Sequence, residues 1–222
     1  MSETLAILHY SERPEHPPRA GTRGDVAAVL CGGPRVDAQQ RADSQLGIAL
    51  AAVAARFAGH DLRTLRLSTA PGCKPRWVAG PDFSISHAAG LVACAVFEDG
   101  AAVGCDIEAE QAVGARDLRL LLDDTERALL ASGVLTPAVI WTRKEAALKW
   151  AGLGLRAVNE VRVTRQGVLV GGRVLHCRAA MLPGGVTVSV VGTHAGAGMV
   201  VRRHDALDLL RALPAVTVTA SW

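Results

Sequence analysis

The sequence predicts an α+β fold made of two halves, each a long helix followed by short antiparallel strands. Helical segments with an apolar side occur at residues 37–57 and 137–151. After each segment come short β-prone runs separated by turn-forming residues, a pattern typical of antiparallel strands. We therefore divide the chain into residues 1–103 and 104–222, which share an order of elements but no evident sequence identity.

In the first half, the helix is expected to begin at the capping residue Asp37 and to end at Phe57, before Gly59. Its apolar stripe also contains Leu46, Leu50 and Val53. Strands are predicted at residues 62–67, 83–85, 91–97 and 101–107. Residues 11–25, rich in Pro, Glu, Arg and Gly, are expected to form a loop.

The second half is predicted to begin with a helix at residues 123–131. A second helix starts near Pro137 and reaches Ala151, where Gly152 follows as a stop signal. Strands are predicted at residues 160–164, 168–170, 174–179 and 186–191.

Composition indicates a globular protein and excludes several classes of function. Of 222 residues, 50% are hydrophobic and 20% charged, enough for a sizeable core in one large or two small domains. A net charge of +3 without a basic run argues against nucleic-acid binding. The N-terminus lacks a signal-peptide pattern, and the longest apolar helix is too short to cross a bilayer, so no membrane association is expected. Five scattered cysteines without a Cys-x-x-Cys pair favour reduced thiols in a cytoplasm.

Lysine is rare in this chain, and its positions are informative. Lys74, Lys144 and Lys149 are the three lysines, whereas the other 21 basic positions are arginine. A compact ammonium and a planar guanidinium are not interchangeable, so we interpret the three lysines as members of one chemical site. The alternative is that their positions reflect chance.

Two acidic residues on one predicted strand indicate a metal site. Asp106 and Glu108 flank Ile107, and alternate residues of a strand point to the same side. Adjacent carboxylates repel each other unless a cation neutralises them, and Mg²⁺ prefers such oxygen ligands. The alternative is an exposed strand whose acids are solvated.

Glu145 and Lys149 lie four residues apart on the second long helix and therefore share a face. They form either an ordinary surface ion pair or part of the same site. In the site, Glu145 would be a third metal ligand or a general base.

Three further residues are candidates for binding phosphate. Ser86 and His87 end a short strand and offer a hydroxyl and an imidazole, and Lys74 before Pro75 adds a charge. A lone histidine is more often structural, and none of the three is decisive alone. Walker, dinucleotide-binding, Gly-x-Ser-x-Gly and His-Glu-x-x-His motifs are absent, which argues against the enzyme classes they mark.

Four segments in this order resemble the 4′-phosphopantetheinyl transferases of the Sfp type. That family has Gly-Lys-Pro, Phe-Asn-x-Ser-His, Gly-x-Asp-Ile-Glu and Trp-x-x-Lys-Glu-Ala-x-x-Lys motifs. Here they stand as Cys73-Lys74-Pro75, Phe83-Ser84-Ile85-Ser86-His87, Gly104-Cys105-Asp106-Ile107-Glu108, and the run from Trp141 to Lys149. The motifs cover about the middle third of the chain.

The resemblance implies a pseudo-dimeric α+β fold with coenzyme A, the substrate, in the cleft between the halves. Phosphopantetheine would pass to a serine of an acyl or peptidyl carrier protein, and adenosine 3′,5′-bisphosphate would be released. Asp106, Glu108 and Glu145 would hold Mg²⁺ against the pyrophosphate, with Asp106 also touching coenzyme A. Lys149 would neutralise the pyrophosphate, and Lys74, Ser86 and His87 would bind coenzyme A phosphates. We further expect a cytoplasmic monomer, and the carriers of fatty-acid, polyketide and nonribosomal-peptide synthesis are all open as targets.

This chain departs from the family pattern in three places. Ser84 replaces the usual Asn, and Cys73 replaces the usual Gly. The family also has an arginine shortly before a glycine in the first long helix, on the 3′-phosphate side of coenzyme A. Asp43 stands there, four residues before Gly47, and Arg35 and Arg41 are the nearest basic residues. Two other functions remain open at this point, a non-catalytic coenzyme A or nucleotide-binding module and a magnesium-dependent phosphohydrolase.

Overall fold

The computed structural model describes residues 4–14, 38–69, 73–195, 198–212 and 217–220. These residues form five α-helices: α1 (Ala38–Phe57), α2 (Ala115–Leu118), α3 (Asp124–Ala131), α4 (Pro137–Ala151) and α5 (Ala206–Ala212). Short 3-10 segments occupy Arg119–Leu121 and Leu155–Glu160. None of the helices so described combines the length and the apolar character needed to cross a membrane.

Local capping explains where two of the helices begin. The side chain of Asp123 accepts a hydrogen bond from the backbone of Glu126, and the Glu126 carboxylate accepts one from the backbone of Asp123. Thr136 caps α4 by accepting a hydrogen bond from the Val139 N–H, and Pro137 occupies the first helical position. Both starts agree with the sequence prediction.

Twelve strands of the described residues form three sheets. The first sheet has the order β11-β1-β5-β4, with β1 (Ala6–Glu12), β4 (Ser84–Ala88), β5 (Leu91–Phe97) and β11 (Met199–Arg203). The second is antiparallel, with the order β6-β10-β9-β8-β7. Its strands are β6 (Gly104–Ala109), β7 (Arg162–Val163), β8 (Gly167–Val170), β9 (Arg173–Leu182) and β10 (Val186–Gly192). The third has the order β12-β2-β3, with β2 (Arg66–Thr69), β3 (Arg76–Trp77) and β12 (Thr217–Ala220).

Alternation along the strands allows α1, the first sheet, the second sheet and α4 to pack as four successive layers. On β5, Val92 and Cys94 face α1, whereas Ala93 and Ala95 face the second sheet. Buried residues of α4 pack on the opposite face of the second sheet. The acidic residues of β6 alternate with its core residues Cys105 and Ile107, so they point away from the core between the sheets.

The helices of the sequence prediction are confirmed, and most strands lie within a few residues of their predicted positions. The predicted strand at residues 62–67 is an exception, because residues 62–64 form a turn and the strand is Arg66–Thr69. Strands β1, β3, β11 and β12 and helices α2 and α5 were not predicted. The expected cap Asp37 and most of the predicted 11–25 loop lie outside the described residues, and the described start of that loop still belongs to β1.

The last elements of the chain join the sheets of the first half. Strand β11 pairs in parallel with β1, and β12 pairs in parallel with β2. The mixed α+β class is confirmed, whereas the pseudo-dimer and the division after residue 103 remain predictions.

Candidate functional site

The candidate site lies where the edge strands of the first two sheets meet. Strands β4 and β6 end their respective sheets, and the Cys105 N–H donates a hydrogen bond of 2.9 Å to the Ser84 hydroxyl across this seam. Ser84, which stands where the family has Asn, therefore still supplies a hydrogen-bond acceptor that joins the two strands. Helix α4 lies over β6 beside the seam.

Gly104 allows α4 to approach β6 closely. A Cβ atom at this position would overlap the carbonyl oxygen of Ala146 and would lie 3.0 Å from the Cβ of Trp150. The glycine of the Gly-x-Asp-Ile-Glu motif thus has a packing role. The close approach brings the α4 residues Glu145 and Lys149 to the acids of β6.

Lys149, Asp106 and Ser86 form a three-way hydrogen-bonded group. The Lys149 ammonium donates to Asp106 Oδ1 at 2.7 Å and to Ser86 Oγ at 2.9 Å. The Ser86 hydroxyl donates to the same Asp106 oxygen at 2.7 Å. Asp106 is 3% exposed and Lys149 29% exposed, so the ammonium lies between the buried carboxylate and solvent. Strands β4 and β6 and helix α4 each contribute one of these residues.

Two further carboxylates share this environment. Burial raises the pKa of Glu145 to about 7, the charges of Asp106 and Glu108 add to the rise, and the Lys149 ammonium opposes it. Burial and the charge of Asp106 likewise raise the pKa of Glu108, again opposed by Lys149. The charges of the three acids therefore influence one another, and their role as metal ligands stays a prediction.

One oxygen of this cluster has unused binding capacity. Asp106 Oδ2 is buried and has no hydrogen-bond donor among the described residues. A bare buried carboxylate oxygen is costly, and either the proton of Glu145 or a cation would satisfy it. No three His, Cys, Asp or Glu side chains of the described residues form a ready-made metal cage. Mg²⁺ does not require one, because substrate phosphate and water usually supply part of its shell.

Lys144 does not belong to this site, so the interpretation of the three lysines as one constellation is wrong for this residue. Its ammonium lies 2.7 Å from Glu126 Oε1, with both side chains 1% exposed, and it donates to the Val161 carbonyl at 2.6 Å. The same Glu126 oxygen accepts a hydrogen bond from the Val163 N–H. Lys144 therefore connects α4 to α3 and to the start of β7. It does not contact the acidic cluster to which its neighbour Glu145 belongs.

Lys74 is engaged in a local network. Its ammonium lies 2.6 Å from Asp82 Oδ2 and donates to the Val103 carbonyl at 2.7 Å. Burial lowers the pKa of Lys74, and Asp82 opposes this effect. The lysine thus links Asp82 to Val103, the residue that precedes β6. Its role in binding coenzyme A remains a prediction.

His87 lies on the other face of β4 from Ser86. Its Nδ1 is 3.7 Å from Oδ2 of the buried Asp43 on α1. A Cβ on Gly47 would lie 2.7 Å from Ile85 Cγ2, so α1 touches β4 here. The four helical residues from Gly47 to Asp43 rise about 6 Å, which matches the length of about 6.6 Å of the two strand residues from Ile85 to His87. Asp43 therefore lies opposite His87.

Sequence reasoning missed the partner of Asp43. Arg13, just after β1, donates from Nε to Asp43 Oδ1 at 2.6 Å and from Nη2 to Oδ2 at 2.7 Å. Of the two arginines considered from the sequence, Arg35 lies outside the described residues, and the side chain of Arg41 is not described. The sequence did contain a signal for this pair, because position 43 has an acidic residue where the family has an arginine. A buried carboxylate requires a cationic partner.

Comparison with known proteins bears on the C-terminal side of the site. The family model of the 4′-phosphopantetheinyl transferase superfamily matches residues 102–181. This segment is a little over a third of the chain and contains Asp106, Glu108, Glu145 and Lys149, but not Ser86, His87 or Lys74. No curated protein matches the chain. The match supports phosphopantetheine transfer in general terms.

Proposed function

We propose that this protein transfers the 4′-phosphopantetheine group of coenzyme A to a serine of an acyl or peptidyl carrier protein. The observation that carries the proposal is the convergence of Lys149 with Asp106, Glu108 and Glu145 inside the segment that matches the superfamily model. The serine oxygen would form a bond to the phosphorus attached to pantetheine. The bond from that phosphorus to the bridging oxygen would break, and adenosine 3′,5′-bisphosphate would leave.

The acidic residues fit a divalent cation. We assign Asp106, Glu108 and Glu145 to Mg²⁺, because Asp106 Oδ2 has no hydrogen-bond donor among the described residues and the three carboxylates lie near one another. Burial is the largest cause of the raised pKa values of the two glutamates, and the neighbouring negative charges, which a cation would offset, add to it. When bound, the metal would neutralise charge on the pyrophosphate, which is the main demand of phosphoryl-type transfer.

The remaining residues have binding and proton-handling roles in this proposal. Lys149 is close enough to solvent to transfer its hydrogen bonds from Asp106 to a pyrophosphate oxygen. The Ser86 hydroxyl, the His87 imidazole and the Lys74 ammonium are assigned to the phosphates of the same substrate. Glu145 is either the third metal ligand or the acceptor of the serine proton, since a pKa of about 7 suits a base at neutral pH.

A mass measurement tests the proposal against its alternatives. The protein is incubated with coenzyme A, Mg²⁺ and a panel of carriers from fatty-acid, polyketide and nonribosomal-peptide synthesis. Transfer adds about 340 Da to the carrier, the mass of the phosphopantetheinyl group. Loss of coenzyme A without a change in carrier mass would indicate a phosphohydrolase, and binding without turnover would indicate a non-catalytic module. Either result contradicts the proposal.

We further propose that the carrier docks on the segment around α2 and the following 3-10 turn. Leu118 and Leu122 are buried, whereas Leu120 is 88% exposed and lines a cleft of about 280 Å³. Arg116 and Arg119 of the same segment are exposed. An exposed leucine with a basic rim suits the acidic surface of carrier proteins that the family resemblance implies. We also propose that the protein acts as a monomer in the cytoplasm.

Reversing Arg116 and Arg119 to Glu is expected to raise the KM for the carrier about tenfold and to leave the KM for coenzyme A nearly unchanged. The physical reason is charge repulsion at a solvated rim, which salt screens over about 8–10 Å. Steady-state kinetics at low and physiological salt would measure both constants. The matched control reverses the exposed Arg63 and Arg66 of the first half. Equal effects of the two double variants would show that this segment is not the docking surface.

A further inference from the structure

Two histidines that are distant in sequence form a hydrogen-bonded pair between β1 and the end of β11. His9 Nδ1 lies 2.8 Å from Nε2 of His204, which directly follows β11, and the two rings stack with their centroids 5.0 Å apart. His9 is 0% exposed and His204 is half-buried. The backbone N–H of His204 donates to the Tyr10 carbonyl at 2.9 Å. The pair therefore joins the segment after β11 to the middle of β1.

This contact lies where the C-terminal segment attaches to the first sheet. Strand β11 pairs in parallel with β1 and forms one edge of the sheet. Helix α5 comes next, and its residues Ala206 and Leu209 are buried in the core that α1 forms with the first sheet. If β11 left the sheet, β1 would become an edge strand with unpaired backbone groups. The attachment of residues 199–212 therefore determines whether β1 is covered.

A cation already faces the histidine pair. Arg202 is the register partner of His9 on β11, and paired residues of neighbouring strands point to the same side of a sheet. The Arg202 guanidinium lies 4.7 Å from the centre of the Phe57 ring, and the centre of that ring is 5.5 Å from that of His9. A further positive charge on either imidazole would therefore be repelled.

The remaining groups that face the pair are neutral or engaged elsewhere. Cys94 is the register partner of His9 on β5, and burial raises the pKa of this thiol well above its usual range, so it stays neutral. Helix α1 presents the Phe57 ring, and α5 presents apolar residues to the core. Asp205, beside His204, accepts hydrogen bonds from two backbone N–H groups of α5 through its Oδ1. That carboxylate is therefore committed to the start of α5.

An added proton would leave an N–H of the pair without an acceptor. The two neutral rings hold two N–H protons on four nitrogens, and one of these protons lies between His9 Nδ1 and His204 Nε2. If the hydrogen bond persists, a third proton fills both outer nitrogens, so that His9 Nε2 must donate. This atom is buried and has no hydrogen-bond partner among the described residues. Burial, His204 and Arg202 accordingly lower the pKa of His9 to about 3, and burial and Arg202 lower the pKa of His204.

We propose that the His9–His204 pair is an acid-sensitive clasp, which holds residues 199–212 on β1 when it is neutral and releases them when it is protonated. The inference does not depend on the proposed function. A solvated histidine in the released form has an ordinary pKa of 6.5, whereas the clasped pair takes up a proton only at lower pH. The stability that the clasp contributes is therefore fully present above pH 6.5 and is lost as the pH falls towards 3. The alternative is a packing contact whose strength does not change over this range.

Hydrogen–deuterium exchange of the protein at about pH 7.5 and about pH 5.5 tests this proposal. The intrinsic exchange rate at each pH is divided by the observed rate, because the exchange of free amides itself depends on pH. This protection is expected to fall about tenfold for the β11 amides at the lower pH. The reason is that a released histidine of pKa 6.5 binds a proton that the clasped His9 does not bind.

A double variant separates the clasp from other effects of pH. His9→Gln together with His204→Gln keeps two side chains that can hydrogen-bond to each other but cannot take up a proton. Its β11 protection is expected to agree at the two pH values within about a factor of two. His176→Gln, which removes a half-buried histidine from β9, is the matched control and should keep the wild-type fall. Unchanged protection of β11 in the wild type, or an equal fall in the double variant, overturns the inference.

NMR of the histidine ring nitrogens in the wild type keeps the test valid if the double variant does not fold. The His9 ring is expected to remain neutral at about pH 5.5 while the β11 protection falls. Protonation of His9 with the ordinary pKa of 6.5 would contradict the proposal. Neither measurement uses coenzyme A or a carrier protein, so failure of this inference leaves the proposed function intact.

Discussion

Replacing Asp106 with Ala is expected to lower phosphopantetheine transfer by about a thousandfold while the protein remains folded. Asp106 is the common partner of Lys149 and Ser86, and its second oxygen is free for a cation. Its loss removes a metal ligand and an anchor of the lysine together, which should cost several kcal/mol of transition-state stabilisation. The fold should survive because the released Lys149 ammonium can be solvated.

Initial rates across a Mg²⁺ titration, together with thermal melting, would measure this effect. Asp106→Asn is the closer isostere and should show a similar loss with a smaller change in stability. The exposed acid Glu160 is the control, and Glu160→Gln should behave as the wild type. Wild-type turnover by the Asp106 variants, or undiminished rates in excess chelator, would remove Asp106 from the metal site.

The parts of this site that depend on local periodicity could be predicted from the sequence. The two-residue alternation of a strand was enough to place Asp106 and Glu108 on one side of their strand. The four-residue repeat of a helix was enough to place Glu145 and Lys149 on one face of their helix. Both pairs lie in elements that the structure contains. Neither pattern alone could predict that the two pairs lie close together in space, and that expectation came from the family resemblance.

The remaining features depend on contacts between residues distant in sequence. Lys144 precedes Glu145 directly, yet the packing of α3 and β7 against α4 buries it beside Glu126. No local pattern distinguishes such a lysine from one that faces a ligand. The pairing of β1 with β11 joins residues nearly two hundred positions apart, and the Arg13–Asp43 pair crosses from a strand to a helix. Propensity arguments do not reach contacts of this range.

The substitution Gly104→Ala is expected to reduce transfer by about a hundredfold and to destabilise the protein by about 1–3 kcal/mol. The added methyl group would overlap the Ala146 carbonyl oxygen, which is backbone and cannot rotate away. Helix α4 must therefore move outward, and overpacking of this kind has that typical cost. A displacement of about 1 Å at a reacting group is enough for a hundredfold loss of rate.

Gly154→Ala provides a matched control for this experiment, because a Cβ there meets no atom within 4 Å and its φ of −84° suits alanine. Thermal or denaturant unfolding gives the change in stability, and carrier modification at saturating coenzyme A and Mg²⁺ gives the rate. A displaced α4 separates Glu145 and Lys149 from Asp106, so the rate of Gly104→Ala should stay low even where the variant is fully folded. If the two alanine variants match in stability and rate, the close contact of α4 with β6 at Gly104 does not set the geometry of the site.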